Sequence, residues 1–329
     1  MSFVLLALLV AAHEHASAST LSAQQVSARS RITTASGVRL RERAETDANE
    51  VARLQLGIIV EELERSPEKV KVGSAEDYWY LVAAPGGARG WVFGGLTAPF
   101  DTARREEIYL ALARERVSNT AATFAEFSDL VRFLDRAVKE VTRRDALAEL
   151  ELTRLSALAR SLASFSIEEQ EKQPFKNWTT EHEKEIVYSE PSGEWYVRAD
   201  LFWDLQRKYR DLAAIAERAA WQAAETPLPG ECEGYLPCYM SLETFSNGKY
   251  LKLYPRGPHS AEALAKISEL IEGVTKDLRG ANPVYDVPRE DVAEFRKTVA
   301  TLRVQLALVV SPKKAQLLKQ LDALVRRFS

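Results

Sequence analysis

The hydrophobic pattern of the chain changes near residue 100, and this change divides the sequence into two kinds of structure. Before it, short β-branched runs such as residues 58–60 alternate with glycine, serine and proline. After Pro99, apolar residues recur three and four positions apart, as in residues 124–141 and 292–309. The first pattern is typical of strands and the second of helices that bury one face. The sequence therefore predicts a β domain followed by an all-α domain.

In residues 32–99, glycine, serine and proline recur between short apolar runs, as expected of several short strands. Pro85-Gly86-Gly87 separates two runs rich in aromatic and β-branched residues, 79–82 and 90–93, and predicts a hairpin. About five strands in a segment of this size are too few for a two-sheet sandwich. A small closed barrel is expected, because closure removes exposed strand edges.

Three motifs in this segment resemble a bacterial SH3-like (SH3b) domain. They are Gly-Val-Arg-Leu-Arg at 37–41, Trp-Tyr-Leu-Val at 79–82 and Gly-Trp-Val at 90–92. The resemblance covers residues 32–99. It implies a small β-barrel that binds rather than catalyses, with cell-wall peptides or other parts of the same chain as its contacts.

The resemblance and the alternation of side chains along a strand together separate core residues of the barrel from candidate ligand contacts. The resemblance places Tyr80 and Val82 on the core face of their strand, so the alternation of strands puts Trp79 on the opposite face. Trp91 is expected to close the barrel core. The candidate binding residues of the barrel are Tyr78, Trp79, Arg41 and Arg43.

Residues 100–329 predict about seven helices that pack on each other, with breaks at recurrent prolines. A short piece near 250–264 resembles the turn of a tetratricopeptide-like helical hairpin, which favours stacked helical hairpins. Residues 186–197 carry Pro191-Ser192-Gly193 between two aromatic runs and predict a hairpin or ordered loop among the helices.

A second candidate site lies in a Gly- and Pro-rich loop that runs to Cys238. Cys232 and Cys238 are the only cysteines, and a Gly and a Pro between them permit a turn. In an oxidising compartment they are expected to form one disulfide, with free buried thiols as the alternative. The candidate binding residues here are Trp221, Glu231, Glu233 and Tyr235.

The sequence offers little for catalysis. Histidines at 182 and 259 have no metal-binding spacing, so neither a metal site nor a cofactor is expected. We find no Gly-x-Ser-x-Gly, phosphate-binding or dinucleotide motif. The alternative is a cell-wall hydrolase that uses Glu231 and Glu233, since paired carboxylates can cleave glycosidic bonds.

The first residues predict export. Residues 3–12 are an apolar run too short to span a bilayer, and Ala16-Ser17-Ala18 resembles a cleavage site. Residues 1–18 are therefore interpreted as a signal peptide and 19–31 as a linker, with a buried N-terminal helix as the alternative. No later segment predicts a membrane span. The net charge of −3 gives no basis for nucleic-acid binding.

Together these features predict an exported, periplasmic or extracellular, non-enzymatic bacterial envelope protein. Its expected role is binding or scaffolding, with peptidoglycan or another envelope protein as partner. In a third interpretation the barrel is an intramolecular brace for a helical ligand-binding domain.

Overall fold

The computed structural model describes residues 29–328, so the predicted signal peptide and residues 19–28 of the predicted linker lie outside the described residues. Its first part contains nine strands. They are β1 (Arg29–Thr33), β2 (Val38–Arg41), β3 (Glu50–Leu54), β4 (Ile59–Arg65), β5 (Val70–Val72), β6 (Ala75–Asp77), β7 (Trp79–Ala83), β8 (Arg89–Phe93) and β9 (Thr97–Phe100).

Seven of these strands form one antiparallel sheet in the order β3-β2-β8-β7-β4-β1-β9, while β5 and β6 form a separate hairpin. The predicted hairpin around Pro85 is confirmed as β7–β8. Within residues 29–328, β3 and β9 do not pair with each other, so hydrogen bonds do not close the sheet. The sheet nevertheless encloses a core, formed by Val38, Leu40, Leu54, Val60, Tyr80, Val82, Ala84 and Val92.

The first strand begins earlier than the sequence indicated, because residues 29–31 belong to β1 and not to a linker. The sequence did not indicate this part of the strand because it contains Arg31, and a charged residue is rarely buried unless it is paired. Here its side chain is buried, donates to Thr97 Oγ1 at 2.8 Å and pairs with Glu62 at 3.3 Å. Its guanidinium also lies 3.7 Å from the ring centre of Tyr80.

The predicted α domain follows, and its helices include short ones that the sequence did not reveal. They are α1 (Arg105–Ser118), α2 (Phe124–Glu140), α3 (Arg144–Leu162), α4 (Phe175–Glu181), α5 (Ala199–Lys208), α6 (Ala213–Glu225), α7 (Leu236–Phe245), α8 (Asn247–Leu253), α9 (Ser260–Asp277), α10 (Val292–Leu306) and α11 (Pro312–Arg327). Thr123 and Glu126 form a capping box that begins α2, and Ser311 caps α11 ahead of Pro312.

Two local predictions in this domain have different outcomes. The hairpin among the helices is confirmed as β10 (Ile186–Ser189) and β11 (Glu194–Val197). Helices α8 and α9 flank a turn at 254–259, but one helix pair does not establish a repeat. The tetratricopeptide-like resemblance therefore stays a prediction.

The β domain is fixed to the helices through the turn between β3 and β4. Leu56 is fully buried; its N–H donates to Asp129 at 2.8 Å and its carbonyl accepts from Arg136 at 2.8 Å. Gly57 lies against the Phe133 ring so closely that a Cβ there would sit 2.1 Å from Phe133 Cδ2. These contacts join the turn to α2 and leave no room for a side chain at position 57.

A second link fixes the inserted hairpin to the helical bundle. Arg154 of α3 contacts Glu185 at 2.6 and 3.0 Å and also pairs with Asp135 of α2. Nδ1 of His182 lies 2.9 Å from Glu185. Burial opposes ionisation of Glu185, but the hydrogen bonds from His182 and Arg154 outweigh it and lower its pKa to about 2.

We expect Gly57→Ala to destabilise the protein by about 2–4 kcal/mol, from the cost of a left-handed alanine plus the clash with Phe133. Gly73→Ala is the matched control, because Gly73 has a similar φ of 60° and no neighbour within 4 Å. It should cost about 1 kcal/mol. Thermal unfolding of both variants tests this, and equal losses would contradict the docking role of Gly57.

We expect Glu185→Gln to reduce the free energy of unfolding by about 2–3 kcal/mol at pH 7. The lowered pKa means that this contribution is complete above pH 4.5 and is lost as pH falls toward 2. The difference from wild type should therefore shrink to about half at pH 3. Urea unfolding at both pH values measures it, with the exposed Glu183→Gln as control. A difference independent of pH would refute the assignment.

Candidate functional site

A cleft of about 860 Å³ lies where the β domain meets helices α2 and α4. One wall comes from the β1–β2 turn and from β2 and β3. The other comes from the start of α2 and from α4. Its lining residues include Gly37, Arg39, Arg53, Phe124, Glu126, Asp129, Arg132, Trp178 and Glu181.

The sheet wall of the cleft carries excess positive charge. Arg39 and Arg53 share a single carboxylate, Glu50, at 3.3 and 2.9 Å. The hydrogen bond from Arg53 lowers the pKa of Glu50, which is thus ionised at neutral pH. Gly37 turns the chain beside Arg53 with a φ of 64°, a conformation that favours glycine. Two guanidiniums with one acid suit an anionic group of a ligand.

The helical wall is acidic. Asp129 is 6% exposed; its Oδ2 accepts from Leu56, while its Oδ1 has no hydrogen-bond partner in the structure. A buried carboxylate oxygen without a partner is costly, so it indicates a place where a donor binds. Glu126 and Glu181 also line this wall, and Glu181 lies 3.8 Å from Arg132.

The helical wall of the cleft also carries two aromatic residues, Phe124 and Trp178. The rings of Phe124, Phe165, Phe175 and Trp178 pack on one another, with centroids 4.8–5.9 Å apart. Trp178 is 2% exposed, donates to Ser161 Oγ at 2.8 Å and lies under the guanidinium of Arg132 at 5.2 Å. The two walls carry opposite charges, and the helical wall adds aromatic rings. This combination fits a short peptide that bears both amino and carboxylate groups.

The candidate residues predicted in the barrel do not line this cleft. The prediction for Trp79 is wrong: it faces away from the core, but it is only 4% exposed. The ring of Phe93 packs on it at 5.7 Å, and Ser66 hydrogen-bonds both its N–H and its carbonyl. The outer face of the sheet is therefore covered at this point, which alternation alone does not predict.

The other three barrel candidates lie at separate places and have partners within the chain. Tyr78 has the guanidinium of Arg65 at 4.3 Å over its ring. Arg41 donates to the carbonyl of Ala48 at 2.6 Å, and the exposed Arg43 pairs with Glu45 at 3.2 Å. The structure does not bring these residues together into a ligand site.

Trp91 is the aromatic residue that sequence reasoning assigned to the wrong side of the sheet. It pairs with Leu81 on β7 and Arg41 on β2, whereas its neighbour Val92 faces the core opposite Tyr80. Trp91 is half-buried and is not part of the barrel core. The alternation that places Val92 inside would have identified it as an outer residue.

The candidates near Cys232 are also divided. Trp221 is buried on α6 and stacks on His259, with ring centres 4.4 Å apart. It is therefore a packing residue and not a loop residue. Glu231 and Glu233 are exposed, and Tyr235 is 39% exposed. A hydrogen bond to Asp291 raises the pKa of Tyr235.

The two cysteines pair as predicted. Cys232 and Cys238 form a disulfide with a Cα–Cα distance of 5.5 Å, within the usual range. The predicted loop ends earlier than expected, because Cys238 lies in the first turn of α7. Gly234 has a φ of 84° and contacts the carbonyl of Val284, where a Cβ would sit 2.4 Å away. The disulfide thus holds a tight turn against residues 284–286.

The comparison with protein families agrees with this geometry. Residues 36–98 match the family described as Bacterial SH3 domain. Together with the antiparallel sheet, this identifies the β domain as a bacterial SH3 domain, a class of binding domain. No curated protein and no solved structure matches the chain.

Two properties of residues 29–328 bear on other classes of site. None of the described helices is long and apolar enough to cross a membrane. The same residues contain no group of three or more histidine, cysteine, aspartate or glutamate side chains that could hold a metal ion.

We expect alkylation of the denatured protein without reductant to add no mass, and alkylation after reduction to add two groups. Reduction should also lower the free energy of unfolding by about 2 kcal/mol, since the closed loop is short. Intact mass spectrometry and urea unfolding provide the measurements. Two groups added without reductant would show that the thiols are free.

Proposed function

We propose that this is an exported bacterial envelope protein that binds the peptide part of peptidoglycan, or a segment of another envelope protein, without catalysing a reaction. The observation that carries the proposal is the cleft between the bacterial SH3 domain and α2. The SH3 domain indicates a binding function, and the cleft offers a surface whose charges suit a peptide ligand.

The charges of the cleft support a peptide that carries both signs. Arg39 and Arg53 face a carboxylate of the ligand from the sheet wall. The unpartnered Oδ1 of Asp129 accepts a hydrogen bond from an ammonium or amide N–H. Cell-wall stem peptides combine amino and carboxylate groups in a short chain, and so does an ordinary polypeptide segment.

The location supports the same proposal. Residues 1–18 have the pattern of a signal peptide, and the disulfide between Cys232 and Cys238 suits an oxidising compartment. The docked Leu56 turn gives the SH3 domain a second role as a brace for the helical domain. The two roles coincide, because the docking contact and the cleft share Asp129.

The proposed binding is tested by co-sedimentation of the full-length mature protein with purified, insoluble sacculi. Wild type should sediment with the sacculi, and soluble stem peptide should compete. Arg39→Glu/Arg53→Glu should weaken binding at least about tenfold, because attraction to a ligand carboxylate becomes repulsion.

The matched control for this test is Arg89→Glu/Arg114→Glu, which changes the same charge at two exposed positions outside the cleft. It should leave sedimentation unchanged. Equal loss in both double variants would mean that only net charge matters. Loss in Trp91→Ala but not in the cleft variant would move the site to the outer face of the sheet.

The hydrolase alternative has weaker support. Glu231 and Glu233 are both exposed, whereas a catalytic carboxylic acid depends on a shielded site that raises its pKa. The sacculus assay also addresses this alternative. Release of soluble fragments by wild type and its loss in Glu231→Gln would replace the binding proposal with a hydrolase.

A further inference from the structure

A second surface, formed by elements that do not line the cleft, has the character of a docking site. A hollow of about 400 Å³ lies between α7, α8 and α10, and a second of about 510 Å³ lies beside Leu308 and residues 254–257. Thr301 on α10 lines the first hollow, and Leu308, just beyond the end of α10, lines the second. We call the two hollows together the α8–α10 trough.

The trough is rich in positive charge. Lys249, Lys252 and Lys297 line the first hollow, and Arg256 lines the second. Glu294 is the one acidic residue among the lining residues, and it pairs with Lys297 at 3.4 Å. An anionic partner would therefore meet several cations for a single acid.

Lys249 shows this imbalance most clearly. Its ammonium is half-buried over the ring of Trp203, 3.9 Å from the ring centre. Burial and the nearby Arg207 both lower its pKa. The charge of Lys249 is thus held near another cation, and an anion bound beside it would relieve the repulsion.

The trough also exposes apolar side chains. Phe245 lines the first hollow and is 61% exposed, Leu308 lines the second and is 68% exposed, and Val304 on α10 is 69% exposed. Large apolar side chains that are grouped beside a hollow mark interaction sites. An apolar contribution is therefore expected in addition to the electrostatic one.

Gln305 holds α10 and α7 together beside the first hollow. Gln305 is 8% exposed and lines the first hollow; its Nε2 donates to the carbonyl of Thr244 at 2.9 Å. Its Oε1 has no hydrogen-bond partner in the structure. Gly248 makes room for this oxygen, because a Cβ at that position would sit 2.4 Å from it. The bond from Nε2 fixes α10 against α7 beside the first hollow.

We propose that the α8–α10 trough binds an acidic peptide segment of a partner protein, with acidic residues alternating with apolar ones. The stretch of α10 from Lys297 to Leu306 corresponds to about 14 Å of helix, the length of about four extended residues, and Leu308 lies just beyond its end. In an extended peptide the alternate side chains point to opposite sides. Acidic side chains then meet Lys249 and Lys252, while apolar ones meet Val304 and Leu308.

The test uses the full-length protein and a fluorescein-labelled peptide, Glu-Leu-Glu-Leu-Glu-Leu-Glu, followed by fluorescence anisotropy. We expect saturable binding that weakens as salt is raised. Lys252→Glu/Lys297→Glu should weaken it about tenfold, and Val304→Ser/Leu308→Ser should weaken it at low and high salt alike. All four positions are exposed, so these variants should keep the wild-type thermal unfolding.

The control Lys276→Glu/Lys319→Glu makes the same charge change at exposed positions outside the trough and should bind as wild type does. Absence of saturable binding would overturn the proposal, and so would equal weakening by the control. Equal binding of Lys-Leu-Lys-Leu-Lys-Leu-Lys would overturn the acidic specificity. Binding to phosphatidylglycerol vesicles in place of the peptide would assign the trough to a lipid surface instead.

Discussion

The contact between the β3–β4 turn and α2 is the constraint on which the arrangement of the two domains depends. Leu56 is fully buried in the helical core, and both of its backbone polar groups bond to side chains of α2. Gly57 permits this approach because Phe133 occupies the space of a side chain. An SH3 domain held in this way is part of one packed unit with the helices, since Ile32 and Phe100 also join the helical core.

The same contact creates the cleft. Asp129 lines the cleft, holds Leu56 with one carboxylate oxygen and leaves the other without a hydrogen-bond partner in the structure. The proposed binding role and the bracing role of the SH3 domain are therefore compatible, because Asp129 of α2 lines the cleft and also holds Leu56. The α8–α10 trough is built from other elements, which gives the proposed scaffold two separate binding surfaces.

Much of the fold could be predicted from local pattern. The strands, the β7–β8 hairpin, the inserted β10–β11 hairpin and the long amphipathic helices all have the expected periodicity or turn residues. Two predictions failed because contacts between distant residues decide the outcome, whereas Trp91 was misassigned although strand alternation places it outside the core. Arg31 is buried by partners in β4 and β9, and Trp79 is covered by Phe93 and Ser66. The residues next to Arg31 and Trp79 in the sequence do not reveal these partners.

The sequence by itself determined the division into a β and an α domain, the SH3 motifs, and the closeness of the two cysteines. These follow from period, turn chemistry and chain length, which are local properties. Only the tertiary structure decided which surfaces are free to bind. The cleft combines Arg39 and Arg53 with Asp129 and Trp178, which are distant in sequence. The packing of Leu56 and Gly57 on α2 brings them close together. Binding chemistry depends on such distances in space, which local sequence properties do not set.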